Sequence, residues 1–109
     1  MIPFVIGSIV KIKVSVKNVD LNIDSSDVEL HLKVWNTDPV TKEQKYVMME
    51  KSDLIIDKTD IYAFVDTSGL AVGELWCLYS MTYPDPKIPL KKLKEMRVIK
   101  IEGIKLVEV

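Results

Sequence analysis

The stretch from Ile61 to Tyr83, IYAFVDTSGLAVGELWCLYSMTY, constrains the fold more than any other part of the chain. Its side chains recur with period two, which is the period of an extended strand. Ile61, Ala63 and Val65 alternate with Tyr62 and Phe64, so both faces are apolar, as in a strand covered on two sides. Asp66-Thr67-Ser68-Gly69 then supplies turn chemistry, and Gly73 a second flexible point. From Glu74 the alternation resumes. Leu75, Cys77, Tyr79, Met81 and Tyr83 share one face; Trp76, Leu78, Ser80 and Thr82 share the other. Aromatic residues at this density predict a central strand. The two strands are expected to form a hairpin in the middle of the core, with Trp76 largely buried. Pro84-Asp85-Pro86 ends the second strand, because proline cannot donate to a ladder.

The flanking segments carry the same period with a cleaner division. In residues 8–17, Val10, Ile12, Val14 and Val16 face one way, and Lys11, Lys13, Ser15 and Lys17 the other. One side is core and the other solvent, and lysines on the outside suit an edge strand. In residues 28–36, Val28, Leu30, Leu32 and Val34 point inward, while Glu29, His31, Lys33 and Trp35 point outward. His31, the one histidine, is read as a surface residue. Trp35 is either covered by a terminal segment or exposed as a binding anchor. Asn36-Thr37-Asp38-Pro39 is a turn. Residues 43–50 form a weaker strand with Tyr46 and Met48 on one side, and Leu54-Ile55-Ile56 a short one before the turn at 57–60.

After the hairpin, residues 83–89 form a stiff, proline-rich loop. Residues 90–96, LKKLKEM, show weak helical spacing but are too short to insist on it, and a single turn or an extended segment fits equally. Residues 97–102 and 104–109 read as strands around Gly103, a bulge or a turn, with the last strand inside a sheet. About seven or eight short strands, with turns every eight to twelve residues, predict an all-β antiparallel β-sandwich of immunoglobulin-like or related Greek-key topology. A small barrel is the alternative.

A chain of 109 residues fits one domain with a single core. One cysteine excludes an internal disulfide, and Cys77 lies in the apolar pattern as a core residue. The start, MIPFVIGSIV, lacks a basic lead and a cleavage site, and no apolar run is long enough to span a membrane. Charge is uneven. Residues 1–17 hold three lysines and no acid; residues 18–66 hold five bases and eleven acids; residues 85–109 hold seven bases and four acids. An acidic face and a basic face on one sandwich would let copies dock head to tail, and salt would weaken that contact.

The chemistry-bearing motifs are few. Asp20-x-Asn22-x-Asp24 matches the opening of a calcium loop, but Ser25 stands where glycine is needed and His31 where a bidentate glutamate is needed. No metal or cofactor is expected. One histidine, one cysteine and no acid–base pair leave few candidates for catalysis. Lys91, Lys92, Lys94 and Arg97 lack an aromatic platform, so nucleic acid is an unlikely partner.

The run Phe64-Val65-Asp66-Thr67-Ser68-Gly69-Leu70-x-x-Gly73-Glu74-Leu75-Trp76, followed by Tyr83-Pro84-Asp85 and Pro89, resembles small immunoglobulin-like modules of phages and prophages, including the amino-terminal domain of phage baseplate upper proteins. The resemblance covers at most a third of the chain and brings no catalytic residue. It implies a non-enzymatic structural role in a virion, made in the cytoplasm and acting through protein partners or self-association. Trp35, Lys11, Lys13, Lys91, Lys92 and Arg97 are the expected interaction residues. The alternative is a carbohydrate-binding sandwich that stacks glycans on exposed Trp35, Trp76 or tyrosines.

Overall fold

The computed structural model describes residues 2–16, 22–88 and 90–108. Lys17, Asp20, Pro89 and Val109, each part of an expectation above, lie outside them. Eight strands run in order: β1 (Ile2–Val5), β2 (Ile9–Ser15), β3 (Glu29–Thr37), β4 (Gln44–Glu50), β5 (Ile55–Asp57), β6 (Asp60–Asp66), β7 (Gly73–Pro84) and β8 (Lys92–Val107). Two short 3₁₀ turns, Lys51–Asp53 and Thr67–Gly69, complete the described elements.

The strands form two sheets, a five-stranded sheet in the order β1-β8-β7-β3-β4 and a three-stranded sheet in the order β2-β6-β5. The fold is thus the expected β-sandwich. Its strand order is immunoglobulin-like: β2, β6 and β5 stand as strands B, E and D, and β3, β4, β7 and β8 as C, C′, F and G. β1 was not foreseen as a strand. It pairs parallel to the end of β8, Ile2 to Ile104 through Val5 to Val107, so the larger sheet is mixed.

The core lies between the sheets. β2 contributes Val10, Ile12 and Val14, β6 contributes Ile61, Ala63 and Val65, and opposite them come Leu30, Leu32 and Val34 of β3. Leu75, Cys77, Tyr79 and Met81 of β7 complete the contact, each fully buried. Ile23 is buried with this core, and β2 is an edge strand, as expected.

Three expectations change. First, β6 and β7 are not a hairpin, because each is central in a different sheet. The link between them buries Leu70 and Ala71, so it crosses from one layer to the other instead of turning back in the plane. Second, β6 is covered on one face only, and Phe64 on its outer face is half-exposed. Third, the two expected terminal strands are one strand of 16 residues that starts at Lys92, so Lys92–Met96 take the extended alternative. Gly103, at φ +78°, makes the bulge: Leu75 pairs with Ile101 but Glu74 with Lys105. A strand of that length spans about 50 Å, and it sets the 51 Å long axis of the molecule.

Two buried polar side chains fasten the ends. Asn36, at the end of β3, donates from Nδ2 to the Ala71 carbonyl at 2.6 Å and accepts from the Ala71 N–H at 2.9 Å. Its amide therefore replaces a missing ladder step between β3 and the start of β7. Thr67 accepts from the Gly7 N–H at 2.9 Å and donates to the Ser8 carbonyl at 2.6 Å, which ties the β1–β2 turn to the end of β6. Replacing Thr67 with valine keeps the volume and strands the Gly7 N–H. Urea unfolding is expected to show a loss of about 1–3 kcal/mol, the usual cost of an orphaned buried group. A variant as stable as the parent would mean that Thr67 does not hold the turn.

Candidate functional site

Because β3, β4, β7 and β8 turn one set of side chains into the core, the alternate set faces outward on four adjacent strands. The register aligns this set in rows. One row runs Tyr46, Trp35, Trp76, Lys100. The next runs Met48, Lys33, Leu78, Val98, and a third Glu50, His31, Ser80, Met96. The outer face of an antiparallel sheet is ordinarily polar. Here Tyr46, Met48, Met96 and Val98 are 56–58% exposed, and Trp35, Trp76 and Leu78 are partly exposed among them. Such a cluster of apolar and aromatic groups on a folded surface marks a contact site.

Trp76 therefore lies partly exposed on the outer face instead of in the core. Both faces of its strand are apolar, but the core takes the odd-numbered set, and Trp76 goes with the even-numbered set. It stacks on Trp35, with ring centroids 5.9 Å apart and planes inclined by 17°. Lys100, its neighbour on β8, lies 6.0 Å over the Trp76 ring. Lys33 lies 4.9 Å over Tyr46 and donates to Gln44 Oε1 at 2.9 Å. Polar pairs flank the apolar rows. Glu74 and Lys100 meet at 2.8 Å, and His31 and Glu50 at 2.6 Å, with His31 exposed as expected. The hydrogen bond from Lys100, then its charge, holds the Glu74 carboxyl below its ordinary value. The same contact raises the Lys100 ammonium.

Of the six expected interaction residues, only Trp35 belongs to this surface. Lys11 and Lys13 are on the outer face of the other sheet, beside Phe64 and Tyr62 of β6. Lys91 sits in the β7–β8 turn and Lys92 opens β8. Arg97 pairs with Tyr79 and so has the inward parity of β8, opposite to the apolar rows. Nor do the charges separate into an acidic and a basic face. Lys11 and Lys13 share theirs with Asp57, Asp60 and Asp66, and Lys94 and Lys100 share theirs with Glu50 and Glu74. Sequence segments of opposite charge are interleaved by the strand order. Met48, Leu78, Met96 and Val98 escaped the sequence reading as surface residues, and Trp76 and the tyrosines entered it as such only in the carbohydrate alternative. The signal for them was their shared parity with Trp35, which needs the pairing partners to be known.

Other chemistry is sparse. Among the described residues, no group of His, Cys, Asp and Glu could hold a metal ion. Of the calcium-like motif, Asn22 spends its carbonyl on the Ser25 N–H in a turn, and Asp24 is exposed. Cys77 is wholly buried, and burial pushes its thiol up to about 12. Lys51 bridges the Ser25 and Val28 carbonyls beside an open cleft of about 560 Å³ lined by Asp24, Ser26, Leu54 and Ile56, a strap rather than a reaction centre. Among the described residues no helix is long and apolar enough to cross a membrane.

Two outcomes follow. A thiol probe at neutral pH should leave Cys77 unlabelled until the protein unfolds, since a neutral, buried thiol is not a nucleophile; rapid labelling of the native protein would misplace β7. A double-mutant cycle on Trp35→Ala and Trp76→Ala should give a coupling of about 0.5–1.5 kcal/mol, as for stacked aromatic pairs. Strict additivity would mean that the rings do not meet. No family model matches the chain, and no curated protein or solved structure matches it, so the role of this surface has to come from its own residues.

Proposed function

We propose that the protein is a non-enzymatic assembly module that docks onto other protein surfaces, a second copy among them, through the outer face of its larger sheet. One observation carries this reading: Trp35, Trp76, Tyr46 and two methionines lie together on a partly exposed sheet face. Tryptophan, tyrosine and methionine are the residues enriched in interface cores, and a charged rim is the usual surround. Methionine also adapts to an irregular partner surface. The resemblance of residues 64–89 to phage and prophage modules supplies the setting, a virion component of tail or baseplate type.

The carbohydrate reading is weaker. A sugar needs a free ring face. Trp35 and Trp76 turn faces toward each other, and Lys100 lies over Trp76 from the strand beyond. The salt-weakened, head-to-tail docking expected from charge segments gives way to apolar docking.

Sedimentation across concentration tests the proposal. Self-association is expected toward about 1 mM, and it should persist or strengthen in sodium sulfate, because excluded salts favour apolar burial. Met48→Lys combined with Val98→Lys should abolish it without lowering the melting temperature. A parent protein that stays monomeric throughout removes self-assembly. Glycan binding that is lost in Trp35→Ala would move this face to the carbohydrate reading.

A further inference from the structure

The smaller sheet ends at β2, and among the described residues no strand pairs with its outer edge. Among the described residues the neighbouring edge of the larger sheet is open too, because β1 pairs with Ile104–Val107 of β8 alone. Between these edges runs an open cleft of about 500 Å³, lined by Lys13, Val14 and Ser15 on one side and by Arg97, Val98, Ile99, Lys100 and one acid, Glu102, on the other.

The hydrogen-bond phase of β2 can be worked out. The Thr67 N–H donates to the Ser8 carbonyl at 3.1 Å, and the Val16 N–H donates to the Thr59 carbonyl at 2.8 Å. Both contacts continue the register that sets Ile9 against Asp66 and Ser15 against Asp60. Hydrogen-bonded and non-bonded pairs alternate along an antiparallel ladder. Val10, Ile12 and Val14 therefore spend their backbone groups on β6. Ile9, Lys11, Lys13 and Ser15 turn theirs to the open edge, and the same four residues have exposed side chains. Lys11 and Arg97 make no ion pair among the described residues, and Lys13 has one loose contact, 3.7 Å from Asp60.

We propose that the outer edge of β2 accepts one further strand from a partner chain whose acidic side chains alternate with apolar ones. The added backbone would pair with the N–H and C=O groups of Ile9, Lys11, Lys13 and Ser15, the recurring mode of strand addition. Its acidic residues would stand directly across from Lys11 and Lys13, where opposite charges stabilise a cross-strand pair. Its apolar residues would turn inward onto Ile99 and the stem of Arg97. A second copy of β2 is the wrong occupant. A two-fold antiparallel pairing centred on residues 11 to 13 sets lysine against lysine, so the charges that block self-pairing select an acidic partner. Val98 and Lys100 border both this cleft and the aromatic face, but the free backbone groups of β2 lie on the other sheet, so the proposal stands whether or not the aromatic face docks anything.

The probe is a synthetic seven-residue peptide of alternating Glu and Val, compared with a Lys/Val peptide and a scrambled Glu/Val peptide. Hydrogen exchange on the intact protein is expected to show fast amides at Ile9, Lys11, Lys13 and Ser15, slowed by the Glu/Val peptide alone. Lys13→Pro deletes an edge donor while leaving the β2–β6 ladder intact, and should weaken binding about tenfold or more. Lys13→Ala keeps the donor and should weaken it only about two- to fivefold. If the proline variant fails to fold, N-methylation of the peptide amides that face β2 makes the same cut from the other side. Equal binding of all three peptides, protection confined to β8, or unimpaired binding by Lys13→Pro or by the methylated peptide would each overturn the proposal.

Discussion

The strict alternation of side chains across the five-stranded sheet is the constraint on which the rest depends. Leu30, Leu32 and Val34 on β3, and Leu75, Cys77, Tyr79 and Met81 on β7, are almost wholly removed from water. A shift of one residue in either strand would exchange this set for its outward neighbours. The inward set is apolar without a gap, so the register is held firmly. Holding it leaves Trp35, Trp76, Leu78 and their β4 and β8 neighbours outside, whatever their polarity. The apolar outer face is thus a consequence of core packing, and its residue types are what give it a use.

The two sheets meet at ends that apolar packing alone would leave frayed. Asn36 and Thr67 each serve two backbone partners at sites where the chain passes from one layer to the other. Buried polar groups are tolerated when every donor and acceptor is met, and then they specify one arrangement. These two pins also explain why β6 and β7, adjacent in sequence, settle in different sheets. Leu70 and Ala71 sink between the layers while Asn36 holds the Ala71 backbone.

How much of this was legible in the sequence depended on contrast between strand faces. β2 and β3 were readable because lysines, Glu29 and His31 mark one side of each. β7 is apolar on both sides, so alternation gave its period and divided its side chains correctly but did not say which set faces the core, and Trp76 was expected to be largely buried although it lies on the outer face. The first part of β8 hid because Leu90, Leu93 and Met96 fall at helical spacing, while Leu93 and Met96 pair with Tyr83 and Ser80 of β7, ten or more residues earlier. β1 is recognisable only through its parallel pairing with β8, a contact a hundred residues away. The outer surface needed all of these registers at once, which is why only Trp35 was found from local pattern. The free edge of β2 was half legible: its lysines announced an edge, but which backbone groups stay unpaired follows only from the ladder phase.

Methionine oxidation offers the most direct measurement of the central claim, because the chain carries its own reporters on both sides of the larger sheet. Met48 and Met96 lie on the outer face, at 56% and 58% exposure, while Met49 and Met81 lie inside, at 8% and 0%. Peroxide treatment followed by mass spectrometry should oxidise Met48 and Met96 in dilute protein and spare Met49 and Met81. At concentrations where the protein associates, Met48 and Met96 should become protected. Ready oxidation of Met81 in the native protein would contradict the register, and unchanged oxidation of Met48 and Met96 in the associated protein would contradict the assignment of this face as the docking surface.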